Sequence, residues 1–291
     1  MGPDEVTVNT GRCLCGEVRY EVGDEFFAVV HCHCSMCRKH HGTPFATWAV
    51  VPASHYRLTH GAGSIVRYES SPGMHRSFCG RCGSVTPVPT PGAGEVVVPA
   101  GNLEGDLPHP QLHMFVGSNA AWHVIADELP RHDAWPPDYG MQPVARDAPD
   151  TATDSGLRGS CLCGDVAFAI DAPPLRFMYC HCSRCRLARS AAHASNLFYP
   201  LAAFRWLRGE DRVVGFALPA AERFGVAFCR RCGSGVPRPS PQRQVVLVPA
   251  GSLDGHPGRR ADAHIFVDSR ANWDAIGDDG IPRYAELPPL R

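Results

Sequence analysis

The sequence contains no apolar stretch approaching the roughly 20 residues that a helix needs to cross a bilayer. Its N-terminus carries Asp4 and Glu5 without an apolar core, so we expect no signal peptide. The formal net charge is −1, and the 28 Lys and Arg residues are scattered rather than gathered into a basic stripe. These absences predict a cytoplasmic protein that binds neither membranes nor nucleic acid.

Cysteine, by contrast, is abundant and patterned. The 14 cysteines form the series C-x-C, C-x-C-x-x-C and C-x-x-C twice. The first series is Cys13, Cys15, Cys32, Cys34, Cys37, Cys79 and Cys82, and the second is Cys161, Cys163, Cys180, Cys182, Cys185, Cys229 and Cys232. In a reducing compartment, closely spaced cysteine pairs are more often metal ligands than disulfides. The chain is therefore predicted to be a duplicated metal-binding module.

Shorter motifs repeat in the same order as the cysteines. They are Pro99-Ala100-Gly101 with Pro249-Ala250-Gly251, His113-Met-Phe-Val with His264-Ile-Phe-Val, and Trp122 with Trp273. A chain of 291 residues is long enough for two domains, each with its own core. Residues 141–156 are rich in Asp, Ala, Thr and Pro and lack apolar periodicity, which is typical of a linker. We predict one domain at 1–140 and a second at 157–291.

Short segments rich in Val, Tyr, Phe and Ile, separated by Gly and Pro, predict β-strands. The predicted strands are 17–22, 46–51, 64–69, 74–78, 95–99 and 112–116 in the first half, and 165–170, 213–217, 223–228, 244–249 and 263–267 in the second. Helix is predicted only at 35–40, 120–125 and 271–276. Because 29 Gly and 27 Pro disfavour long helices, the predicted fold class is mainly β.

Seven cysteines per half cannot complete two tetrahedral zinc sites, since each closed site takes four ligands. The natural division is a closed four-cysteine site and a three-cysteine site whose open position suits catalytic zinc. The central three cysteines can converge on one ion from a single turn. The predicted open sites are Cys32, Cys34, Cys37 and Cys180, Cys182, Cys185, and the closed sites are Cys13, Cys15, Cys79, Cys82 and Cys161, Cys163, Cys229, Cys232.

A histidine as fourth ligand would close the smaller site and make it structural. His31 and His33 flank the first central cysteine, and His113 could approach from a distance. Only His33 and His113 have counterparts, His181 and His264. Iron and iron–sulfur clusters also accept thiolates, but zinc is the better match for C-x-x-C pairs. We predict up to four Zn²⁺ per chain, two in closed and two in open sites.

Several motifs together resemble one protein family. The strings are Gly11-Arg-Cys13-Leu-Cys15-Gly16-Glu-Val, His33-Cys34-Ser35-Met-Cys37-Arg38-Lys39, Ser71-Pro72-Gly73, Arg76-Ser-Phe78-Cys79, Cys82-Gly83-Ser84, His113-Met-Phe-Val and Ala121-Trp122. They resemble the glutathione-dependent formaldehyde-activating enzyme family, also called the centromere-protein-V-like family (GFA/CENP-V). The resemblance covers residues 10–135 and, more weakly, residues 158–285.

This resemblance implies two tandem β-tent zinc-binding domains, with structural zinc on the outer cysteine pairs and catalytic zinc on the central three. It also implies a carbon–sulfur lyase that joins formaldehyde to glutathione as S-hydroxymethylglutathione. A thiol entering the open position of zinc ionises near neutral pH, because the cation stabilises the anion. We therefore predict a zinc-dependent enzyme that forms or cleaves adducts of a small thiol. The alternative is a non-catalytic, zinc-stabilised binding or scaffold module.

Two cations follow the central cysteines of the first half, and Arg38 and Lys39 are predicted to hold a substrate carboxylate. The second half keeps its cysteines but changes their surroundings. Its replacements are Leu187 for Lys39, Ser190 for Gly42, Asn196 for Trp48 and Val226 for Arg76. We therefore expect the first half to carry the family-like chemistry. The duplication also suggests a pseudo-dimer of the two halves within one chain.

Overall fold

The computed structural model describes residues 8–90, 92, 94–139 and 156–289. Within these ranges the chain is mainly β, with several sheets in each half and two short helices, α1 (Ser35–His41) and α2 (Ser183–Arg189). The predicted linker, 141–156, lies outside the described residues except for Gly156, so the domain boundaries stay a prediction. None of the described helices has the length and apolar character needed to span a bilayer.

The first half folds into three sheets around α1. Its strands are β1 (Asn9–Arg12), β2 (Arg19–Val22), β3 (Ala28–Cys32), β4 (Ala46–Pro52), β5 (Tyr56–His60), β6 (Ile65–Ser71), β7 (Met74–Cys79), β8 (Val85–Thr86), β9 (Val88–Thr90), β10 (Glu95–Pro99), β11 (Leu103–Glu104), β12 (Leu112–Met114) and β13 (Arg131–His132). The strand orders are β11-β1-β2-β5, β13-β12-β3-β4-β10-β9 and β6-β7-β8. Only β12 pairs in parallel, with β3 and β13.

The second half repeats this topology around α2. Its strands are β14 (Leu157–Ser160), β15 (Ala167–Ile170), β16 (Arg176–Cys180), β17 (Ala194–Pro200), β18 (Phe204–Arg208), β19 (Val213–Ala217), β20 (Gly225–Cys229), β21 (Arg238–Ser240), β22 (Val245–Pro249), β23 (Ala263–Ile265) and β24 (Arg283–Tyr284). The orders are β14-β15-β18, β24-β23-β16-β17-β22-β21 and β19-β20. The large sheet therefore matches the β13-to-β9 sheet strand for strand. Single bridges, Gly159 to Leu253 and Phe228 to Gly235, stand where the first half has β1·β11 and β7·β8.

Each half inserts a tryptophan into the core of the other half. Trp122 is 4% exposed and packs in the second-half core, with its ring centroid 5.5 Å from that of Phe177. Trp273 is 1% exposed and packs in the first-half core with Tyr20 and Leu107. The helices predicted at 120–125 and 271–276 are wrong, because these segments are irregular and reach across to the other half.

The repeated Pro-Ala-Gly turns also contact the opposite half. The turn at Gly251 packs against α1, and the turn at Gly101 packs against α2. An ideal Cβ on Gly251 would lie 2.3 Å from the Arg38 carbonyl oxygen and 2.5 Å from the Thr43 amide nitrogen. The same atom on Gly101 would lie 2.1 Å from the Ala191 amide nitrogen. Glycine is required here because backbone meets backbone.

A Gly251→Ala substitution should therefore destabilise the protein, by the roughly 1–3 kcal/mol typical of overpacking. Urea unfolding followed by circular dichroism measures this loss. Gly63→Ala is the matched control, since no atom lies within 4 Å of the Cβ position of Gly63. Equal stability losses in the two variants would contradict the close approach of the halves.

Candidate metal centres

The sulfur atoms of all fourteen cysteines gather into four groups, and every cysteine is a free thiol. Within each group the sulfurs lie within 4.8 Å of one another. The four-cysteine groups are Cys13, Cys15, Cys79, Cys82 and Cys161, Cys163, Cys229, Cys232; the three-cysteine groups are Cys32, Cys34, Cys37 and Cys180, Cys182, Cys185. This grouping is the division proposed from the sequence, while the role of these residues as metal ligands stays a prediction.

The spacing of the sulfurs fits tetrahedral coordination of zinc. Zn–S bonds of about 2.3 Å place the corners of a tetrahedron about 3.8 Å apart. In the first four-cysteine group, the Cys15 sulfur lies 3.4 Å from that of Cys13 and 3.8 Å from that of Cys79. The equivalent distances in the second half are 3.4 Å and 3.7 Å. The donor set of both groups therefore suits a closed zinc site.

Backbone and hydroxyl groups also approach these sulfurs. The Val18 amide donates to the Cys13 sulfur over 3.2 Å, and the Ser84 hydroxyl lies 3.4 Å from the Cys82 sulfur. The second half repeats both contacts at 3.3 Å. The amide donors that point at sulfur stabilise the thiolate form that metal binding requires.

The three-cysteine groups lie where a central strand of the large sheet runs into a helix. In the first half Cys32 ends β3, Cys34 caps α1, and Cys37 lies in its first turn. The Cys37 amide donates to the Cys34 sulfur over 3.3 Å, so the cap fixes one thiol relative to the other. In the second half Cys180 ends β16 and Cys182 is the N-cap of α2, with their sulfurs 3.6 Å apart, but the Cys182 side chain accepts no cap hydrogen bond.

No histidine joins either three-cysteine group among the described residues. The His33 Nε2 atom lies 2.8 Å from His113 Nδ1, and its Nδ1 lies 3.1 Å from the Asn119 amide oxygen. His113 Nε2 in turn contacts Asp127 at 2.9 Å. Burial lowers the pKa of His33 to about 3, so its ring is neutral. The third candidate, His31, contacts the Thr47 hydroxyl through Nδ1 at 3.0 Å, so all three histidines considered as a fourth ligand have other partners.

Two donors converge on the Cys37 sulfur from outside the cysteine motif. The Arg76 guanidinium nitrogens lie 3.7 and 3.8 Å away, and the Trp48 indole N–H lies 3.5 Å away. Burial acts to lower the pKa of Arg76, but the sulfurs of Cys37 and Cys34 outweigh it and the net shift is upward. A permanent positive charge therefore contacts one thiol of the first three-cysteine group.

The second three-cysteine group has a different environment. Val226, 6% exposed, stands at the position of Arg76, and Asn196 at that of Trp48. Among the described residues of this half, Arg189 is a buried cation, and its terminal nitrogen lies 2.1 Å from the position that an ideal Cβ on Gly235 would occupy. Burial lowers the pKa of Arg189 to about 10, so it remains charged at neutral pH. The second half therefore also contains a buried positive charge, but this charge does not occupy the position that Arg76 has in the first half.

A cavity of about 570 Å³ lies between the halves, and Cys161 and Cys163 of the second four-cysteine group line it. The first three-cysteine group does not line it directly, but Ser35, the residue after Cys34, does. Arg38 and Lys39 line it, together with Asn119 of the first half and Asp254 of the second. Lys39 already forms an ion pair with Asp254. Arg38 keeps its buried Nε atom without a hydrogen-bond partner in the described part of the chain. Of the two predicted substrate contacts, Arg38 is the one with hydrogen-bonding capacity to spare.

Several neighbours of the sites were not identified from sequence. Asn119 and Asp127 orient the His33–His113 pair, and Asp254 engages Lys39 from the opposite half. These contacts join residues that are distant in the chain, so spacing carries no signal for them. Arg76 could have been noticed in the sequence, because Val226 stands at its position in the second half although the surrounding motifs repeat.

Comparison with known proteins shows that both halves match the same protein family. Residues 8–118 and 156–269 match a family model described as glutathione-dependent formaldehyde-activating enzyme. A Halomonas elongata protein, provisionally assigned the same name, is 32% identical over 125 residues, which cover 40% of this chain and 79% of that protein. A crystal structure of a Rhodobacter sphaeroides protein is 30% identical, covering 34% of this chain and 91% of its own, with a TM-score of 0.29.

Proposed function

Because the chain belongs to the glutathione-dependent formaldehyde-activating enzyme family, we propose that its first half is a zinc-dependent carbon–sulfur lyase. It would form or cleave the adduct of a small thiol with an aldehyde, as an S-hydroxymethylglutathione synthase does. The observation that carries this proposal is the first three-cysteine group. Its three thiols converge without a fourth protein ligand among the described residues, which leaves a coordination position for substrate.

The residues of this group would hold the metal and shape its surroundings. Zinc held by Cys32, Cys34 and Cys37 would supply a positive charge that lowers the pKa of an entering thiol and stabilises the sulfur anion. Adduct formation joins the thiol sulfur to the carbonyl carbon, and the thiol proton ends on the carbonyl oxygen as a hydroxyl. Cleavage reverses both changes. Arg76 and Trp48 donate toward Cys37 throughout.

The remainder of the thiol substrate would extend from the first three-cysteine group past Ser35 into the cavity between the halves. Its volume of about 570 Å³ suits a ligand of tripeptide size. The free donor of Arg38 would contact a substrate carboxylate, and Lys39 would reinforce it from within its ion pair with Asp254. Glutathione, which carries two carboxylates, is the natural first candidate.

The other three groups have distinct roles in this proposal. Both four-cysteine groups would hold structural zinc, and the second three-cysteine group would bind a fourth zinc in an altered environment. The two halves, at 1–140 and 157–291, would stand in for the subunits of a dimer. The reciprocal burial of Trp122 and Trp273 supports this pseudo-dimer.

The Cys34→Ser variant tests the proposal. Serine keeps the helix cap but removes a thiolate, so the fold should persist. We expect zinc content to fall from about four to about three per chain by elemental analysis, and to about two when Cys182→Ser is added. The rate at which formaldehyde and glutathione form their adduct should fall to background with Cys34→Ser alone.

Cys182→Ser alone is the matched control, because it removes the equivalent thiol of the second half. It should lose about one zinc but retain most of the activity. Zinc content of about two per chain in the wild type, unchanged by either substitution, would refute the open sites. Activity that survives Cys34→Ser would refute the assignment to the first half.

A further inference from the structure

The two three-cysteine groups differ in the charge that touches them. In the first half, both terminal nitrogens of Arg76 approach the Cys37 sulfur, at 3.7 and 3.8 Å. In the second half, the apolar Val226 occupies the equivalent strand position and is buried. Arg189 forms no hydrogen bond to a sulfur of its group among the described residues, and its guanidinium lies beside Gly235 instead.

This difference changes the charge of a metal-loaded site. A divalent ion with three thiolates carries a net charge of about −1. The Arg76 guanidinium brings the first site to neutrality at contact distance, so a thiolate can enter as fourth ligand with little repulsion. At the second site Arg184 and Arg189 interact electrostatically with Cys182 and Cys185, but neither donates a hydrogen bond to a sulfur in the described part of the chain. A thiolate would therefore be added to a centre whose negative charge is less closely compensated.

We infer that Arg76 is the residue that selects a thiolate as fourth ligand at the first three-cysteine group, and that the second group favours a neutral ligand. This inference rests on the proposed function and deepens it, since it identifies what makes the first site competent for thiol chemistry. Arg76 would act through Cys37, as a positioning residue, rather than by touching the substrate. The halves would then retain the same metal ligands but bind different classes of fourth ligand.

Cobalt(II) substitution of the full chain tests this inference through a spectroscopic signal. Cys182→Ser leaves only the first open group, and Cys34→Ser leaves only the second. Glutathione is titrated into each cobalt-loaded variant, and the sulfur-to-cobalt charge-transfer band reports thiolate entry. We expect saturable binding at the first group and affinity at least about tenfold weaker at the second.

Arg76→Met, made in the Cys182→Ser background, should weaken glutathione binding by about tenfold or more. Arg76→Lys, which keeps the charge, should recover part of that affinity. Imidazole provides a neutral probe of the same position, and its affinity should be nearly unchanged by Arg76→Met. A purely structural role of Arg76 would weaken both probes together.

The inference is overturned if Arg76→Met binds glutathione as tightly as its parent, or if glutathione and imidazole weaken equally. Equal glutathione affinity at the two groups would overturn it as well. If neither three-cysteine group binds glutathione in the cobalt-loaded protein, this result contradicts the proposed function, and the inference about Arg76, which rests on that function, is contradicted as well. These results are distinguishable because the parent variants are measured before Arg76 is changed.

Discussion

The Trp273→Ala variant is expected to lose about 3–5 kcal/mol of unfolding free energy, the usual cost of removing a buried tryptophan from a core. Trp273 is 1% exposed and packs with Tyr20 and Leu107, so the cavity would open in the first half although the residue belongs to the second. A loss of this size is a large part of the net stability of an ordinary domain, about 5–15 kcal/mol.

Urea unfolding followed by circular dichroism measures the loss, and hydrogen exchange locates it. Amide protection should fall more in strands β2 and β4, which contribute residues to the core that contains Trp273, than in the second-half sheet. Trp135→Ala is the control, because Trp135 is half-buried and packs with Phe115 in its own half. A loss of protection confined to the second half would contradict the exchange of tryptophans between cores.

The mainly β class and the cysteine grouping could be read from the sequence because both depend on local patterns. Strands such as β10 (Glu95–Pro99) coincide with the prediction, and α1 extends the predicted helix by one residue. Strands β3 and β16, which lead into the three-cysteine groups, were not predicted. Each ends in the Cys-His-Cys run, whose ligand pattern obscures the apolar alternation of a buried strand.

The contacts between the halves could not be predicted, since they join segments far apart in sequence. The Ala- and Trp-containing segments at 120–125 and 271–276 have helical composition, yet neither forms a helix. Their tryptophans are buried only by reaching across to the opposite core, and this burial outweighs intrinsic helix propensity. The repeated motif indicated that Trp122 and Trp273 are equivalent residues, but it did not indicate that each is buried in the core of the other half.

The same limit applies to the charges around the candidate site. Arg76 lies 39 residues from Cys37 in sequence, and only the fold brings its guanidinium to the sulfur. Lys39 followed the central cysteines and was a natural candidate for substrate binding, but Asp254 of the other half already pairs with it. Sequence reasoning identified which residues carry charge, whereas the structure shows which charges are already neutralised.

The Cys82→Ser variant is expected to fail to fold, in contrast to Cys34→Ser. Cys82 is fully buried within a four-cysteine group that ties the turn after β1 to the end of β7. In zinc-finger peptides, structural zinc contributes about 10–16 kcal/mol. Loss of a large part of that contribution would exceed the net stability of most domains. Circular dichroism and elemental analysis of the two serine variants provide the comparison.

Reciprocal tryptophan burial makes this prediction more specific. The second-half core contains Trp122 from the first half, so unfolding of one half should leave the other with an unfilled cavity. Partial removal of zinc by a chelator should therefore unfold both halves of the wild type in one cooperative transition. Two separate transitions, with native hydrogen-exchange protection retained in one half, would show that each half is stable alone and that the exchanged tryptophans contribute little.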